Sequence, residues 1–255
     1  NELRIRNLIY ESLSNSISQV QHFGKRIFER AIEDKDFLDI YLGTGDVEST
    51  VPVKYTKEEF VDTEDPITLL PEQVEREHHY IHNAPIVSRF NSSCGVGIVG
   101  PRPVLESVLK NISLDLAIRH FYKEVKMYYM FDDSNANAIQ WVKWLRHAYN
   151  DEIGIRNIMC DEESRKILLD NLYTVLSARE AAKKEQEIIC FDSFYVVFVY
   201  DATAIRKHPV SKYIKDCNRL GFTFVFFEEN EEYLPIGCTE VIRLNYDGKT
   251  GILLP

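Results

Sequence analysis

The stretch GVGIVGPRPVLES, Gly95 to Ser107, joins an apolar strand at Val96 to Val99 to a helix through a turn at Gly100, and its reading decides the fold. Strand, turn and helix in this order are the layout of a phosphate-binding loop, G-x-x-x-x-G-K-S/T, in which backbone amides cradle phosphates and the lysine reaches their outer oxygens. With Gly100 as the first glycine, the closing positions are Leu105, Glu106 and Ser107, so only the serine survives. A carboxylate replaces the lysine. Two like charges about 4 Å apart at an effective dielectric near 20 repel by roughly 4 kcal/mol, about three powers of ten in affinity. In the usual loop geometry this weighs against tight ATP binding. The same residues spell G-x-G-x-x-G at Gly95, Gly97 and Gly100, the dinucleotide fingerprint. That motif needs its glycines after the strand, whereas two of these flank Val96 inside the apolar run, so the match is read as accidental.

Outward from this stretch, apolar runs and helical patterns alternate. Strands are predicted at 86–90, 95–99, 125–131, 156–160, 194–200, 222–228, 241–244 and 251–254, with helices at 103–120, 135–147, 162–184 and 210–220. Continuous apolar strands alternating with helices imply an α/β fold with a mainly parallel sheet covered on both faces. In such a sheet a ligand is expected at the carboxyl ends of the strands. There the run Phe194 to Tyr200 closes on Asp201, the arrangement that holds Mg²⁺ through water beside a phosphate loop. Hydrolysing relatives follow that aspartate with a glutamate that activates water; here the next residue is Ala202. A structural role for a strand-terminal aspartate stands beside the metal reading. Arg102 is a candidate anion donor at the helix start, set against the plainer role of solvating a loop. Asp132 and Asp133 are read as a turn into the following helix, because adjacent strand residues point to opposite faces.

The amino-terminal part reads differently. Ile9, Leu13, Ile17, Val20, Gly24, Ile27 and Ala31 recur at spacings of three and four, which predicts one long helix over residues 3–32 with a single apolar stripe. It packs on its own domain or forms a stalk against a neighbour, giving the division 1–35 and 36–255. Phe37 to Leu42 and Val51 to Tyr55 read as strands around a turn at Gly43 to Asp46, a small β element. Residues 58–82 are acidic, then histidine-rich, and read as a surface connection with a short helix near Glu72 to His79. His78, His79 and His82, with Glu75 and Glu77, have metal-ligand residue types. Their order is not H-E-x-x-H, and His78 and His82 share a face only if the helix continues past Tyr80, so no metal site is predicted. Trp141 and Trp144 fit helical core positions.

A chain of 255 residues with 45% hydrophobic content supports one large α/β domain or a domain with a smaller attachment. Net charge of −10 opposes the attraction to phosphate backbones on which nucleic-acid binding depends, so no nucleic-acid partner is expected. The sequence begins with Asn and shows no secretory or transit segment, which suggests a piece of a longer protein. No apolar run approaches the roughly 20 residues of a membrane helix, so the piece is expected to be soluble. The five cysteines lack metal spacing and C-x-x-C pairs, and read as reduced thiols in a cytosolic setting.

The run GKRIFERAIEDKDFLDIYLGTGDV, Gly24 to Val47, resembles the EssC/EccC family, the membrane-anchored FtsK/SpoIIIE-type ATPases of type VII secretion systems. There an R-x-W-E-R-like segment is followed by D-F-L-x-x-R-L-G-x-G; here Phe28 stands at the tryptophan position and Tyr41 at the arginine before the leucine. The resemblance continues through Gly95 to Gly100, Trp141 to His147 and the strand ending at Asp201. It implies a RecA/FtsK-like three-layer fold of the P-loop-NTPase type, lying between transmembrane helices and the first true ATPase domain on the cytoplasmic face of the bacterial membrane. It further implies a part in exporting WXG-class effectors, with downstream ATPase domains of the same chain, secretion membrane components and further copies of the parent protein as partners. No catalytic residue carries over. Ser107 and Asp201 match ATPase positions while Leu105, Glu106 and Ala202 depart, so the nucleotide-site-like set is Gly100, Arg102, Glu106, Ser107 and Asp201. No cofactor is expected beyond weak ATP/Mg²⁺. A non-catalytic module that transmits force or control is the leading reading. The alternative is a divergent nucleotide-binding ATPase domain needing a neighbouring subunit to complete its site.

Overall fold

The computed structural model describes residues 1–51, 53–55, 66–132, 139–186, 189–200 and 202–254. In chain order its strands are β1 (Asp39–Glu48), β2 (Tyr80–Arg89), β3 (Gly95–Val99), β4 (Val125–Met130), β5 (Tyr149–Asn150), β6 (Ile155–Arg156), β7 (Ile158–Met159), β8 (Phe194–Val199), β9 (Phe222–Glu228), β10 (Glu240–Leu244) and β11 (Gly251–Leu254). The α-helices are α1 (Glu2–Ile9), α2 (Leu13–Gln21), α3 (Pro66–Glu77), α4 (Arg102–Arg119), α5 (Glu162–Glu185) and α6 (Ala202–Lys207). Two compact units emerge, one of Asn1–Asn15 with Tyr41–Ser88, the other of Ser16–Ile40 with Arg89–Pro255.

The larger unit is built on a seven-stranded sheet ordered β11-β10-β3-β9-β8-β4-β7, parallel throughout except for the edge strand β11. The parallel strands were legible because both faces are buried, which removes the polar alternation of a half-exposed strand. On one face Tyr128, Met130, Val197, Val199, Phe222, Phe224 and Phe226 pack with Leu168, Leu169, Leu172 and Leu176 of α5 and Ile205 of α6. Their strand neighbours Met127, Tyr129, Val196, Phe198, Val225 and Phe227 point the other way, toward α4, whose Leu105, Leu109, Ile112 and Leu116 are buried at spacings of four, three and four. Three layers result. α5 begins at a capping box, in which Asp161 accepts from the Ser164 amide at 2.8 Å and Ser164 Oγ accepts from the Asp161 amide at 3.2 Å. The helices expected over 135–147 and 210–220 are instead short 3₁₀ turns, Gln140–Trp144, Arg146–Ala148, Pro209–Tyr213 and Asn218–Leu220. The start of the first expected helix, with Asp133 and Asn135, lies outside the described residues. Leu145 is extended between the first two turns, and Trp144, expected in the core, is 80% exposed.

In the smaller unit β1 and β2 form a two-stranded sheet. The turn expected at Gly43 to Asp46 is absent: the chain runs straight through it as β1, and Gly45 leaves room for Ile86, which a Cβ there would meet at 3.2 Å. Glu2 at the start of α1 accepts from Ser49 Oγ at 3.2 Å and from the Thr50 amide at 3.3 Å. Among the described residues no helix is long and apolar enough to cross a membrane.

The single helix expected over 3–32 is broken. α1 stops at Ile9, Tyr10 is extended, and α2 restarts with Ser12 Oγ accepting from the Asn15 amide at 3.4 Å. Serines and asparagine at 12, 14, 15, 16 and 18 compete for backbone groups and favour caps over helix interiors. The stripe is not buried either, since Ile9, Ile17 and Val20 are 37–43% exposed. Beyond α2 the chain turns through left-handed conformations at Phe23 (φ 51°) and Phe28 (φ 53°). These turns deliver Glu29 and Arg30 to the end of α4. Arg119, 1% exposed, donates to Asp115 Oδ1 at 2.8 Å, Glu29 Oε1 at 2.6 Å and Ser16 Oγ at 2.8 Å. Arg30, 2% exposed, donates to the Asp39 carbonyl and lies 3.1 Å from Asp36 Oδ2. Backbone bonds from Phe28 to Ile118 (2.8 Å) and Arg30 to Arg119 (3.1 Å) fix the segment to the helix end. Burial outweighs the arginines and raises the Asp115 carboxyl. Next to this cluster the fully buried His120 accepts from the Leu38 amide through Nε2 (3.1 Å) and donates through Nδ1 to the Leu116 carbonyl (3.2 Å). His147 Nε2 donates to the His120 carbonyl at 2.8 Å.

Removing one partner of a buried ion pair strands the other, so Arg119→Met should cost about 3–5 kcal/mol in urea unfolding, and Arg119→Met with Asp115→Leu should regain most of it. A single variant as stable as the parent chain would show that the cluster contributes little. Burial, reinforced by Arg30, pushes His120 down to about 3, and burial pushes His147 down to about 4. Both stay neutral in the folded chain at pH values where the unfolded chain takes up protons. Their contribution is complete above the unfolded value near 6.5 and falls as pH drops below it, by up to about 1.4 kcal/mol per pH unit for each histidine. The raised Asp115 works in the opposite sense nearer the carboxylate range. Imidazole resonances of both histidines should not titrate between pH 7 and 5; a midpoint near 6.5 for either would contradict this.

Candidate functional site

Of the residues expected to form a nucleotide-like site, Gly100 and Arg102 lie just past the carboxyl end of β3, which sets their geometry. Gly95 and Gly97 share one face of this strand and leave its first two positions there without side chains. A Cβ at Gly95 would lie 2.9 Å from the Gly237 carbonyl, and one at Gly97 2.4 Å from Leu234. A Cβ at Gly100 would come within 3.0 Å of Leu244 Cβ. Each glycine of the apparent fingerprint is therefore closely packed on residues 234–244, Gly95 against backbone. The Gly100 amide donates to the Glu228 carbonyl at 3.1 Å, extending the pairing with β9 past the strand end.

Between Val99 and Arg102 stand only Gly100 and Pro101. The amides of Val104 and Leu105 both donate to the Pro101 carbonyl, at 2.9 and 3.0 Å, so helical bonding begins at once. In a phosphate loop those amides face the ligand. Leu105, at the second-glycine position, is 2% exposed in the core under α4. Glu106 is half-buried and Ser107 exposed, both a full turn inside the helix rather than at its mouth.

Arg102, the first residue of α4, is exposed and lies 3.7 Å from Asp132, which follows β4. Asp201, placed by sequence at the end of β8, lies outside the described residues. β8 and β3 are not adjacent, since β9 runs between them and ends in Glu228. Sequence reasoning missed Tyr200. Its ring stacks on Phe227 with centroids 4.7 Å apart, and its hydroxyl is buried without a hydrogen-bond partner among the described residues. Burial, then the Glu106 carboxylate, raises the phenol, while Arg102 opposes them. Among the described residues this edge carries Glu106, Arg102 and Asp132, with Tyr200 between the first two. This balance suits a hydrogen-bonded polar surface better than a polyphosphate.

Other residue groups singled out by sequence are dispersed. His78 and His79 follow α3, whereas His82 on β2 pairs with Asp46 at 2.8 Å on an exposed face. Among the described residues no group of three histidines, cysteines or carboxylates could hold a metal ion. All five cysteines are free. Cys94 and Cys217 are buried together, with the Cys217 thiol lowering the Cys94 thiol, while Cys190 is exposed.

No protein-family model matches the chain. An ESX secretion system protein EccC from Geobacillus thermodenitrificans is 25% identical over 234 residues, 90% of this chain and 16% of that protein. A type VII secretion system protein EssC from Staphylococcus aureus is 23% identical over 244 residues, 93% of this chain and 16% of that protein. The chain spans about one sixth of the length of these relatives. The solved structure of EssC ATPases 2 and 3 from Geobacillus thermodenitrificans superposes with a TM-score of 0.56 at 12% identity, covering 86% of this chain and 39% of that one, and shares the fold. The expectation drawn from Gly24 to Val47 holds: the chain is homologous to the EssC/EccC ATPases of type VII secretion systems.

Proposed function

We propose that this chain is a non-catalytic ATPase-like domain of a type VII secretion motor, one that couples or regulates ATPase domains further along the same chain and the membrane channel during export of WXG-class effectors. The two-residue connection between β3 and α4 carries this reading, because it leaves no loop for phosphates to enter. Phosphoryl transfer depends on positioned cations and a residue that orients water. At the matching positions stand Glu106 and Ala202, and the Ala202 side chain is buried without acid–base chemistry. What survives is the parallel sheet, whose carboxyl edge keeps a polar surface of Arg102, Glu106, Asp132 and Tyr200. Such an edge is suited to contact a neighbouring domain that does bind nucleotide, in a cytoplasmic position next to the membrane.

Calorimetric titration of the chain with ATP, with and without Mg²⁺, should give no saturable heat, and ATP turnover should equal that of a Ser107→Ala, Asp201→Ala control. Turnover above the control would favour the divergent ATPase that needs a neighbouring subunit.

Restoring the missing cation alone should change nothing. Glu106 sits inside α4, so Glu106→Lys should leave ATP binding undetectable. Micromolar Mg²⁺-ATP affinity in that variant would mean the β3–α4 connection can open into a phosphate loop.

A further inference from the structure

Just ahead of the edge strand β7, the segment Lys143 to Arg156 holds a tryptophan out to solvent on a fixed backbone. Val142 and His147 are buried on either side of it. The Leu145 amide donates to the Val142 carbonyl at 2.9 Å, the Ala148 amide to the Leu145 carbonyl at 3.1 Å, and His147 Nε2 to the His120 carbonyl at 2.8 Å. Between these anchors Trp144 is 80% exposed. Its indole is among the largest apolar surfaces a side chain offers, and a ring held rigidly in water is the kind of group that dominates protein interfaces.

Cations gather beside the ring. Lys143 Nζ lies 5.5 Å from the Trp144 ring centre. Across the β5–β6 hairpin Tyr149 faces Arg156, whose guanidinium stands 5.2 Å from the Tyr149 ring centre. Arg146 lies 4.7 Å from the same ring and 5.1 Å from that of Tyr122, so the tyrosines hold both guanidiniums in place. Arg156 also donates to the Leu145 carbonyl at 3.5 Å, which ties the hairpin to the tryptophan turn. Asp151 pairs with Arg146 and lies 3.8 Å from Lys126, so one carboxylate serves two cations. Glu124 accepts from the Ile32 amide at 3.2 Å. Lys123 and Glu152 both act on Lys126. Five cations thus meet three carboxylates here, in a chain whose net charge is −10. Among the described residues no carboxylate pairs with Lys143 or Arg156.

The uncovered ring suits an apolar side chain, and Lys143 and Arg156 beside it suit carboxylates. A single-stranded nucleic acid fits less well. Its phosphates would run past Asp151 and Glu152 too, and its successive bases need several open aromatic faces. Arg146 lies against both tyrosine rings, which leaves Trp144 as the open one. A peptide spaces its carboxylates, so acidic residues can meet Lys143 and Arg156 while missing Asp151 and Glu152. We propose that this face docks an acidic segment of a partner protein, which seats an apolar side chain on Trp144 and carboxylates on Lys143 and Arg156. The surface is separate from the Gly100 turn and stands apart from the secretion reading.

The test is fluorescence polarisation of a labelled peptide of repeated Glu-Glu-Leu triplets titrated with the chain, with Glu-Glu-Gly and Lys-Lys-Leu peptides and oligo(dT) in parallel. The Glu-Glu-Leu peptide should bind saturably, roughly in the micromolar range, and lose most of its affinity in about 0.5 M salt, where exposed charges are screened within a few ångströms. The Glu-Glu-Gly peptide should bind about tenfold more weakly or worse, and the Lys-Lys-Leu peptide and oligo(dT) not at all. Trp144→Ala and Lys143→Glu, both at exposed side chains, should each weaken binding by about tenfold or more. Lys215→Glu, at an exposed cation outside this face, should leave it unchanged. Urea unfolding checks that each variant keeps the parent's fold. Absence of saturable binding up to about 0.5 mM chain, equal affinity for oligo(dT), or unchanged affinity in Trp144→Ala would overturn the proposal. So would self-association that depends on Trp144 in sedimentation, which would assign the face to a second copy of the chain.

Discussion

Close packing along one face of β3 governs both the fold and the character of its carboxyl edge. Gly95, Gly97 and Gly100 admit Leu234, Gly237 and Leu244 to within van der Waals contact of the backbone. A side chain at Gly95 would push the loop before β10 away. The same packing holds Gly100 against Glu228 and Leu244, and Pro101 caps α4, which begins at Arg102. A sheet arranged as in an ATPase therefore ends in a tight turn where a nucleotide-binding relative would need a long loop. Function follows from the length of a connection as much as from the identity of the residues in it.

A second constraint acts at the far end of α4. The residues that carry the family resemblance, Glu29 and Arg30, are not a surface signature but two members of a buried ion cluster closed by Arg119 and Asp115. Buried charges are tolerable only when paired and hydrogen-bonded, which explains why a short run of charged and aromatic residues has so definite a pattern. Phe28, at the tryptophan-like position, stacks edge-on against Phe121 just beyond the helix. The resemblance thus marks how an amino-terminal segment is fastened to the core, and says nothing about catalysis.

The parallel sheet and helices α4 and α5 were legible because each rests on continuous burial or a clean apolar stripe. β3, β9 and β11 begin and end where the sequence places them. The long amino-terminal helix was misread for a physical reason: Ile9, Leu13, Ile17 and Val20 keep helical spacing, but that spacing says nothing about serines that cap and interrupt, nor about Arg30 being drawn into a distant ion cluster. Gly43 to Asp46 carries turn residues, yet pairing with β2 makes the segment extended. Glu106 and Ser107 were found as motif positions; that they sit a turn inside α4 depends on Leu244 and Glu228, more than a hundred residues away. Tyr200 gave no local signal, because an orphaned polar atom exists only once the rest of the chain has closed around it.

The central claim is that α4 starts directly after β3, with the Val104 and Leu105 amides already bonded to the Pro101 carbonyl. Amide hydrogen exchange over Gly100 to Ser107, measured with and without saturating Mg²⁺-ATP, tests it most directly. The account predicts protection from Val104 onward without nucleotide and no change on its addition. Fast exchange through Ser107 that becomes protected when ATP is added would contradict it.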